Sequence, residues 1–109
     1  MHDGEDRTTA FSSRQLRHAF KHAADFGIAG NVNSAKLLVF RVVLEAHINA
    51  GSTEMHIGTY RLAAVTHFID RDTRLNVMRD AHGDFLSGWA LSEAQLAHLL
   101  DTGRLGGGS

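Results

Sequence analysis

The spacing of apolar residues changes at Gly51, and this change constrains the fold more than any other feature of the chain. Before Gly51, apolar residues recur every three or four positions, as in amphipathic helices. After it, short runs of strand-forming residues stand between turn-forming residues, until a last helical pattern begins at Ser92. A chain of 109 residues can bury one modest core. The order of patterns therefore predicts an α+β domain in which helices pack on an antiparallel sheet.

Three helices are predicted from capping residues and stops, over residues 12–27, 34–50 and 92–103. At both Ser12 and Ser92 a glutamine follows three residues later, which is the spacing of a capping box. Glycine is the predicted stop of all three helices, at Gly27, Gly51 and Gly103, because it readily adopts the left-handed conformation. The second helix is apolar around much of its circumference, so we expect it to be central and buried on most sides.

Four strands are predicted after Gly51, over residues 55–61, 65–70, 75–79 and 85–90. The connections 70–73 and 80–84 are too short for crossovers, so they are expected to form antiparallel hairpins. In the last strand, alternation places Phe85, Ser87 and Trp89 on one face. The small residues Gly88 and Ala90 lie on the other face, where a helix can approach closely. The fold class is thus two N-terminal helices, a four-stranded antiparallel sheet and one short C-terminal helix.

The folded domain is expected to span residues 12–105. Residues 1–11 are polar and acidic and are predicted to be a flexible segment, and residues 106–109 a flexible tail or a cloning remnant. No apolar run is long enough to cross a membrane, so no stable membrane association of the domain is expected. The absence of cysteine excludes disulfides, thiolate zinc sites and cysteine nucleophiles.

The overall charge does not by itself favour a nucleic-acid partner. The net charge is −1 and the pI about 6.7, whereas nucleic-acid-binding domains are usually basic. Residues 14–79, however, contain nine Lys or Arg against five Asp or Glu. This excess allows a basic face, although an evenly solvated surface fits the same count.

The first predicted helix carries a basic stripe, formed by Arg14, Arg17, His18, Lys21 and His22. Histidine exchanges protons near neutral pH, and a neighbouring lysine supplies positive charge where a phosphate can bind. Asp25 lies three residues after His22 and can interact with it across one turn. From spacing alone, a solvated surface pair is the commoner outcome. His18 and His22 also have a zinc-binding spacing, but no third ligand is evident and no metal site is predicted.

The last predicted strand presents a second group of candidate residues. Ser87 and Trp89 lie two residues apart on the same face. A hydroxyl can bind a phosphate oxygen, and an indole can stack on a base. A core tryptophan beside a surface serine is the more common interpretation of such a strand.

Together, the two groups resemble blocks of the colicin D catalytic domain, in the same order along the chain. Residues 21–27 are similar to its lysine-histidine helix, residues 58–61 and 85–89 to later blocks, and residues 91–96 and 102–105 to its C-terminus. The resemblance covers roughly residues 12–106. It implies a nuclease of tRNA anticodon loops, of the type found in bacteriocins and contact-dependent toxins, within the group of small ribonucleases that includes barnase.

The resemblance places the essential histidine of the family at His22, its lysine at Lys21, and its serine and tryptophan at Ser87 and Trp89. It implies metal-independent attack by the ribose 2′-hydroxyl, which leaves a 2′,3′-cyclic phosphate and a 5′-hydroxyl without any cofactor. The residues expected to bind RNA are Arg14, Arg17, His18 and Arg61.

Proton transfer in such a reaction ordinarily needs both an acid and a base. His67, on a predicted strand, is a candidate for the second partner. His56 and His82 are alternatives, and a single histidine serving both steps in turn is a further one.

The resemblance also implies partners. A toxin of this kind has tRNA as its substrate, a larger delivery protein as its parent chain, and an immunity protein that covers Lys21 and His22. It is secreted or delivered from the cell surface and acts in the cytoplasm of the target cell. The competing interpretation is a non-catalytic RNA-binding or protein-interaction module on the same scaffold. Such a module would bind RNA in a salt-dependent way but would not leave cyclic-phosphate ends.

Overall fold

The computed structural model of the chain describes residues 5–106, so the predicted flexible residues 1–4 and 107–109 lie outside the described residues. The elements, in chain order, are α1 (Ser13–Ala19), a 3-10 helix (Phe20–Phe26), α2 (Ser34–Asn49), β1 (Glu54–Tyr60), β2 (Ala63–Ile69), β3 (Leu75–Asp80), β4 (Phe85–Ala90), α3 (Glu93–Thr102) and β5 (Arg104–Leu105). No helix among these residues is both long and apolar enough to cross a membrane.

The sheet has five strands in the order β4-β3-β2-β1-β5, one more than predicted. The four predicted strands pair antiparallel, as expected, but β5 pairs parallel to β1, so the sheet is mixed. Gly103 ends α3 in the left-handed conformation (φ 75°) and turns the chain back onto β1. Gly58 permits this return, because a Cβ there would lie 1.9 Å from the Gly103 carbonyl oxygen.

The first predicted helix is two elements in the structure, since α1 passes directly into the 3-10 helix at Phe20. Ser12 caps α1 by accepting a hydrogen bond from the Gln15 amide (3.0 Å), as its spacing predicts. In the 3-10 helix the residues that face inward are Phe20, Ala23 and Phe26, a spacing of three that suits three residues per turn. At α3 the predicted capping box is complete, because Ser92 and Gln95 bond each other reciprocally.

The core lies on both faces of the sheet. On one face α1, the 3-10 helix and α2 enclose residues such as Phe40, Phe68 and Val77. On the other face α3 covers Ile69, Met78 and Trp89, among others. Helix α2 therefore covers one side only, and the prediction that it is buried on most sides is wrong. Its outer surface exposes three large apolar side chains, Leu38 (67%), Val39 (51%) and Val42 (63%).

A bulge alters the alternation predicted for β4. The register between β3 and β4 shifts between Met78 and Arg79, which inserts one extra residue into β4. Phe85 consequently packs on the helix side, against the cluster that contains Phe40, and not on the face of Trp89 as predicted. The close approach predicted at Gly88 is present, because a Cβ there would come within 3.4 Å of the Phe26 ring.

Residues 5–11, predicted to be flexible, are docked on the domain. The Arg7 guanidinium donates to the Ile48 carbonyl (2.8 Å) at the end of α2, and Arg79 donates to the Thr8 carbonyl (2.7 Å). Phe11 stacks on Phe85 with ring centroids 5.1 Å apart. The sequence prediction missed this docking because the acceptors are backbone carbonyls, which leave no pattern in side-chain composition.

Candidate active site

The candidate site is formed where the N-terminal helices cover β4, the outermost strand of the sheet. Two side chains from these helices bond the free backbone groups of β4. Gln15 Nε2 donates to the Leu86 carbonyl (2.6 Å), and Asp25 Oδ2 accepts from the Ala90 amide (2.9 Å). His22 lies between these two anchors in the chain, on the 3-10 helix, and is therefore held beside the strand that carries Trp89.

The structure brings His22 and Trp89 into contact. Their ring centroids are 5.3 Å apart, with the planes inclined by 36°. Trp89 also meets Tyr60 edge-on, at 5.7 Å between centroids, and the Arg61 guanidinium carbon lies 5.1 Å from the Tyr60 ring centre. We call the three rings of His22, Trp89 and Tyr60, together with the Arg61 guanidinium, the ring row. The sequence prediction named three of its members and missed Tyr60, which is indistinguishable from a packing residue within the pattern of β1.

The surroundings of His22 favour its neutral imidazole. Partial burial lowers its pKa below the ordinary value, and the positive charges of Lys21 and His18 lower it further, while the carboxylate of Asp25 opposes them. His22 Nε2 is buried and makes no hydrogen bond to any residue in 5–106, and the same holds for Trp89 Nε1. The fold therefore does not use either nitrogen, and a neutral imidazole can accept a proton at neutral pH.

The predicted basic residues lie on the solvent side of the helices. Arg14, Arg17, His18 and Lys21 are all exposed. Arg17 and Lys21 border a surface hollow of about 490 Å³ that extends to the loop after the 3-10 helix. Lys21 and His18 are close enough to His22 to affect its pKa, whereas Arg14 lies two turns earlier and shows no contact with the site.

Ser87 is half-buried on β4, two residues before Trp89. It pairs across the strands with Met78, and Trp89 pairs with Asn76. The structure therefore places Ser87 and Trp89 on one face of the sheet, as predicted. No hydrogen bond joins the Ser87 hydroxyl to His22 Nε2 within residues 5–106.

His67 does not have the geometry of a proton-transfer partner. It is fully buried, and its Nε2 atom donates to the Thr59 carbonyl at 3.1 Å. Its Nδ1 atom then accepts a hydrogen bond from Asn76 Nδ2 (3.1 Å), so neither nitrogen is free. Burial lowers the pKa of His67, which keeps it neutral. The prediction overlooked that Val65 and Ile69, which share the face of His67 on β2, are apolar and therefore direct that face into the core.

The two alternative histidines are also placed away from the ring row. His56 is on β1, where its Nε2 atom contacts the Glu54 carboxylate at 2.9 Å. His82 is exposed in the turn between β3 and β4, which precedes the first residue of β4, whereas Ala90 is the last residue of that strand. Within residues 5–106 no group of three or more His, Asp or Glu side chains is arranged to hold a metal ion.

Asn76 is a further residue that the sequence prediction missed. It is buried, its Oδ1 atom makes no hydrogen bond within the described part of the chain, and it lies directly across from Trp89. A buried carbonyl oxygen without a partner is costly and therefore uncommon in the interior of a stable domain. A polar residue placed between the apolar Leu75 and Val77 at the start of β3 is the signal that would have identified it.

These features define a class of protein. An exposed lysine ammonium beside a half-buried imidazole that favours its neutral form, on a small α+β domain, makes a site for general acid–base chemistry on an anionic substrate.

Comparisons with known proteins identify the family. The Colicin D family model matches residues 15–99. The chain is 34% identical to Colicin-D of Escherichia coli over 99 residues, which are 87% of this chain and 14% of that protein. It is also similar to a solved ribonuclease from Escherichia coli complexed with its inhibitor protein, with a TM-score of 0.74 and 34% identity over 84% of this chain and 100% of that one. The chain belongs to the colicin D family.

Proposed function

We propose that this domain is a toxin ribonuclease that cleaves tRNA in the anticodon loop. The observation that carries the proposal is the contact between His22 and the buried Trp89, which holds a half-buried imidazole next to the exposed ammonium of Lys21. Membership of the colicin D family, and similarity to a structure described as a ribonuclease, support RNA as the substrate class. Recognition of a loop fits the aromatic site, because unstacked bases are exposed there.

The proposed reaction needs no metal ion or cofactor, since RNA supplies its own nucleophile. The ribose 2′-hydroxyl is adjacent to the scissile phosphate, so correct positioning replaces an external water. His22 takes the 2′-hydroxyl proton as the 2′-oxygen bonds to phosphorus. The bond between phosphorus and the 5′-oxygen breaks, and His22 returns the proton to that oxygen. The products are a 2′,3′-cyclic phosphate and a 5′-hydroxyl. In this scheme one histidine serves both steps, because both ring nitrogens of the buried His67 are already hydrogen-bonded.

The remaining residues bind the substrate and stabilise charge. Lys21, assisted by Arg17 and His18, faces the negative charge that develops on the phosphate oxygens. Ser87 donates to a non-bridging oxygen, and Trp89, which is only 5% exposed, positions the scissile nucleotide through its contact with His22. Arg14 and Arg61 contact phosphates on either side, which positions the RNA without reading its sequence.

The proposal includes two protein partners. An immunity protein covers Lys21 and His22 with acidic side chains and so uses the same charges as the RNA. The similar ribonuclease was solved with its inhibitor protein, which supports such a partner here. The chain spans 14% of the length of Colicin-D, which supports a larger delivery protein as its parent. We propose that the parent is secreted or displayed at the cell surface, and that the domain acts in the cytoplasm of the target cell.

The deciding experiment is cleavage of unfractionated tRNA in the presence of EDTA, with mapping of the RNA ends. We expect one break within an anticodon loop and cyclic-phosphate ends. His22→Ala should reduce the rate by about 10²- to 10⁴-fold, the usual contribution of a general acid–base group. His82→Ala is the matched control, since His82 is exposed in a distant turn, and it should cleave like the wild type.

The possible outcomes separate the proposal from its competitor. Undiminished cleavage by a folded His22→Ala variant would remove His22 from the mechanism. Loss of wild-type cleavage in EDTA, with recovery on adding a divalent metal, would contradict metal independence. Salt-dependent RNA binding without any cleavage would instead favour the non-catalytic RNA-binding module.

A further inference from the structure

We infer that the turn between β1 and β2 positions a base of the RNA, and that Leu62 is the side chain that contacts it. The inference rests on the proposed function, since it names a further substrate-contacting residue of that site. It comes from the backbone of the turn, the exposure of its tip, and its place beside the ring row.

The turn is built from residues that do not suit its backbone. Tyr60 pairs with Ala63, so Arg61 and Leu62 form a two-residue hairpin loop, with φ angles of 50° and 73°. Two positive φ angles define a type I′ turn, in which Asn-Gly is preferred because a Cβ is strained in that conformation. Strained residues of this kind cluster at active sites and at segments that hold ligands.

The Leu62 side chain is also not stabilised by packing. It is 97% exposed, more than any other large apolar side chain in the described part of the chain. An apolar side chain at a strained turn position, without burial in return, does not stabilise the fold. A leucine there is explained if it becomes buried against a ligand.

The turn lies at the outer end of the ring row. The Arg61 guanidinium covers Tyr60, Tyr60 meets Trp89, and Trp89 meets His22 in consecutive contacts of 5.1, 5.7 and 5.3 Å. The Arg61 amide donates to the Leu105 carbonyl (3.0 Å), which attaches the turn to β5. The tip is therefore held at a fixed place next to the site, although its side chain is free.

A nucleobase is the occupant that this surface favours. Unstacked bases of RNA loops bind on aromatic faces and on guanidinium planes, and the outer end of the row presents the exposed Arg61 guanidinium beside the half-buried Tyr60 ring. Apolar side chains of nucleic-acid-binding proteins also insert beside bases and hold them apart. Leu62 extends such a row by one apolar contact. An inhibitor protein is the competing occupant, and the experiment below separates the two.

The test uses Leu62→Gly and Leu62→Asn, because both new residues tolerate positive φ and neither retains the apolar side chain. We expect melting temperatures equal to or above that of the wild type. In the inactive His22→Ala background, affinity for unfractionated tRNA should fall about fivefold, the low end for loss of contact with one stacked base. In the active background, the enzyme concentration that gives half-maximal cleavage should rise by the same factor, while the saturated rate stays within twofold.

Ile57→Thr is the matched control. Ile57 is also exposed (73%) and apolar, but it lies on the opposite face of β1 from Tyr60, so RNA affinity should not change. If the wild type cleaves tRNA and both Leu62 variants bind and cleave it unchanged, the inference is overturned and the proposed function stands. Unchanged RNA binding with weakened binding of an inhibitor protein would assign the turn to that protein. A wild type that neither binds nor cleaves RNA overturns both proposals.

Discussion

Asp25 is predicted to have two separable roles, one structural and one electrostatic. Its Oδ2 atom accepts the hydrogen bond of the Ala90 amide at 2.9 Å and so attaches the 3-10 helix to the strand that carries Trp89. Its negative charge also raises the pKa of His22 against the effects of burial and of Lys21. Asp25→Asn keeps an acceptor but removes the charge, whereas Asp25→Ala removes both. Comparing the two variants therefore separates the roles.

The structural role can be given a magnitude. A hydrogen bond to a charged acceptor contributes about 1.5–3 kcal/mol when water is excluded, but this bond is exposed and water can replace either partner. We therefore expect Asp25→Ala to lower the free energy of unfolding by about 1 kcal/mol. For a domain of this size that is a fall in melting temperature of about 4 °C. Asp25→Asn should lose less than half of this amount in the same thermal melts.

The electrostatic role appears in the pH dependence of cleavage. If His22 acts as a base, kcat/KM falls at low pH as the imidazole becomes protonated. Both Asp25 variants remove a group that raises the His22 pKa, so both should move this acid limb to lower pH. An acid limb that stays in place for Asp25→Asn would refute the electrostatic argument. Equal destabilisation by Asn and Ala would refute the assignment of the hydrogen bond.

Two further predictions concern stability alone. Gly58→Ala should lower the free energy of unfolding by roughly 2–3 kcal/mol in urea titrations, because its Cβ would lie 1.9 Å from the Gly103 carbonyl oxygen. In the control Gly51→Ala nothing lies within 4 Å of the new Cβ, so its free energy of unfolding should be within about 0.5 kcal/mol of the wild type, and equal effects of the two substitutions would contradict the close approach. Stability should also fall as the pH drops below about 6.5, because burial lowers the pKa values of His47 and His67 in the folded state, so the unfolded chain binds protons more readily. The urea concentration at the unfolding midpoint should therefore decrease from pH 7.5 to 6.5 to 5.5, and His47→Gln should make this decrease smaller.

The helices and strands could be predicted from the sequence because capping residues, turn residues and apolar periodicity are local signals. Alternating runs between turn residues locate β1 to β4 to within about two residues, and Ser92 with Gln95 locates the start of α3. The strand β5 was missed because two residues carry no alternation, and its pairing depends on how Gly103 fits against Gly58. The turn at Arg61 and Leu62 was missed because neither residue is a usual turn former.

The site could be predicted from the sequence only in part, because its contacts are not local. The sequence places His22 on a helix and Trp89 on a strand, but periodicity does not say which helix covers which edge of the sheet. The resemblance to the colicin D family supplied that pairing, and the structure shows the contact. The geometry does not support His67 as the second partner, because the apolar residues Val65 and Ile69 on its face of β2 place its ring in the core, where both nitrogens are hydrogen-bonded.

The position of the site follows from the need to protect a sheet edge. An outer strand with unpaired amides and carbonyls invites pairing with other chains, so it must be covered. Here Gln15 and Asp25 bond the free groups of β4 at its two ends, and Phe26 packs against Gly88 between them. His22 lies between these anchors in the chain, so covering the edge also sets its imidazole against Trp89. Substitutions at the anchors should therefore alter catalysis through the separation of these two rings, without touching the substrate.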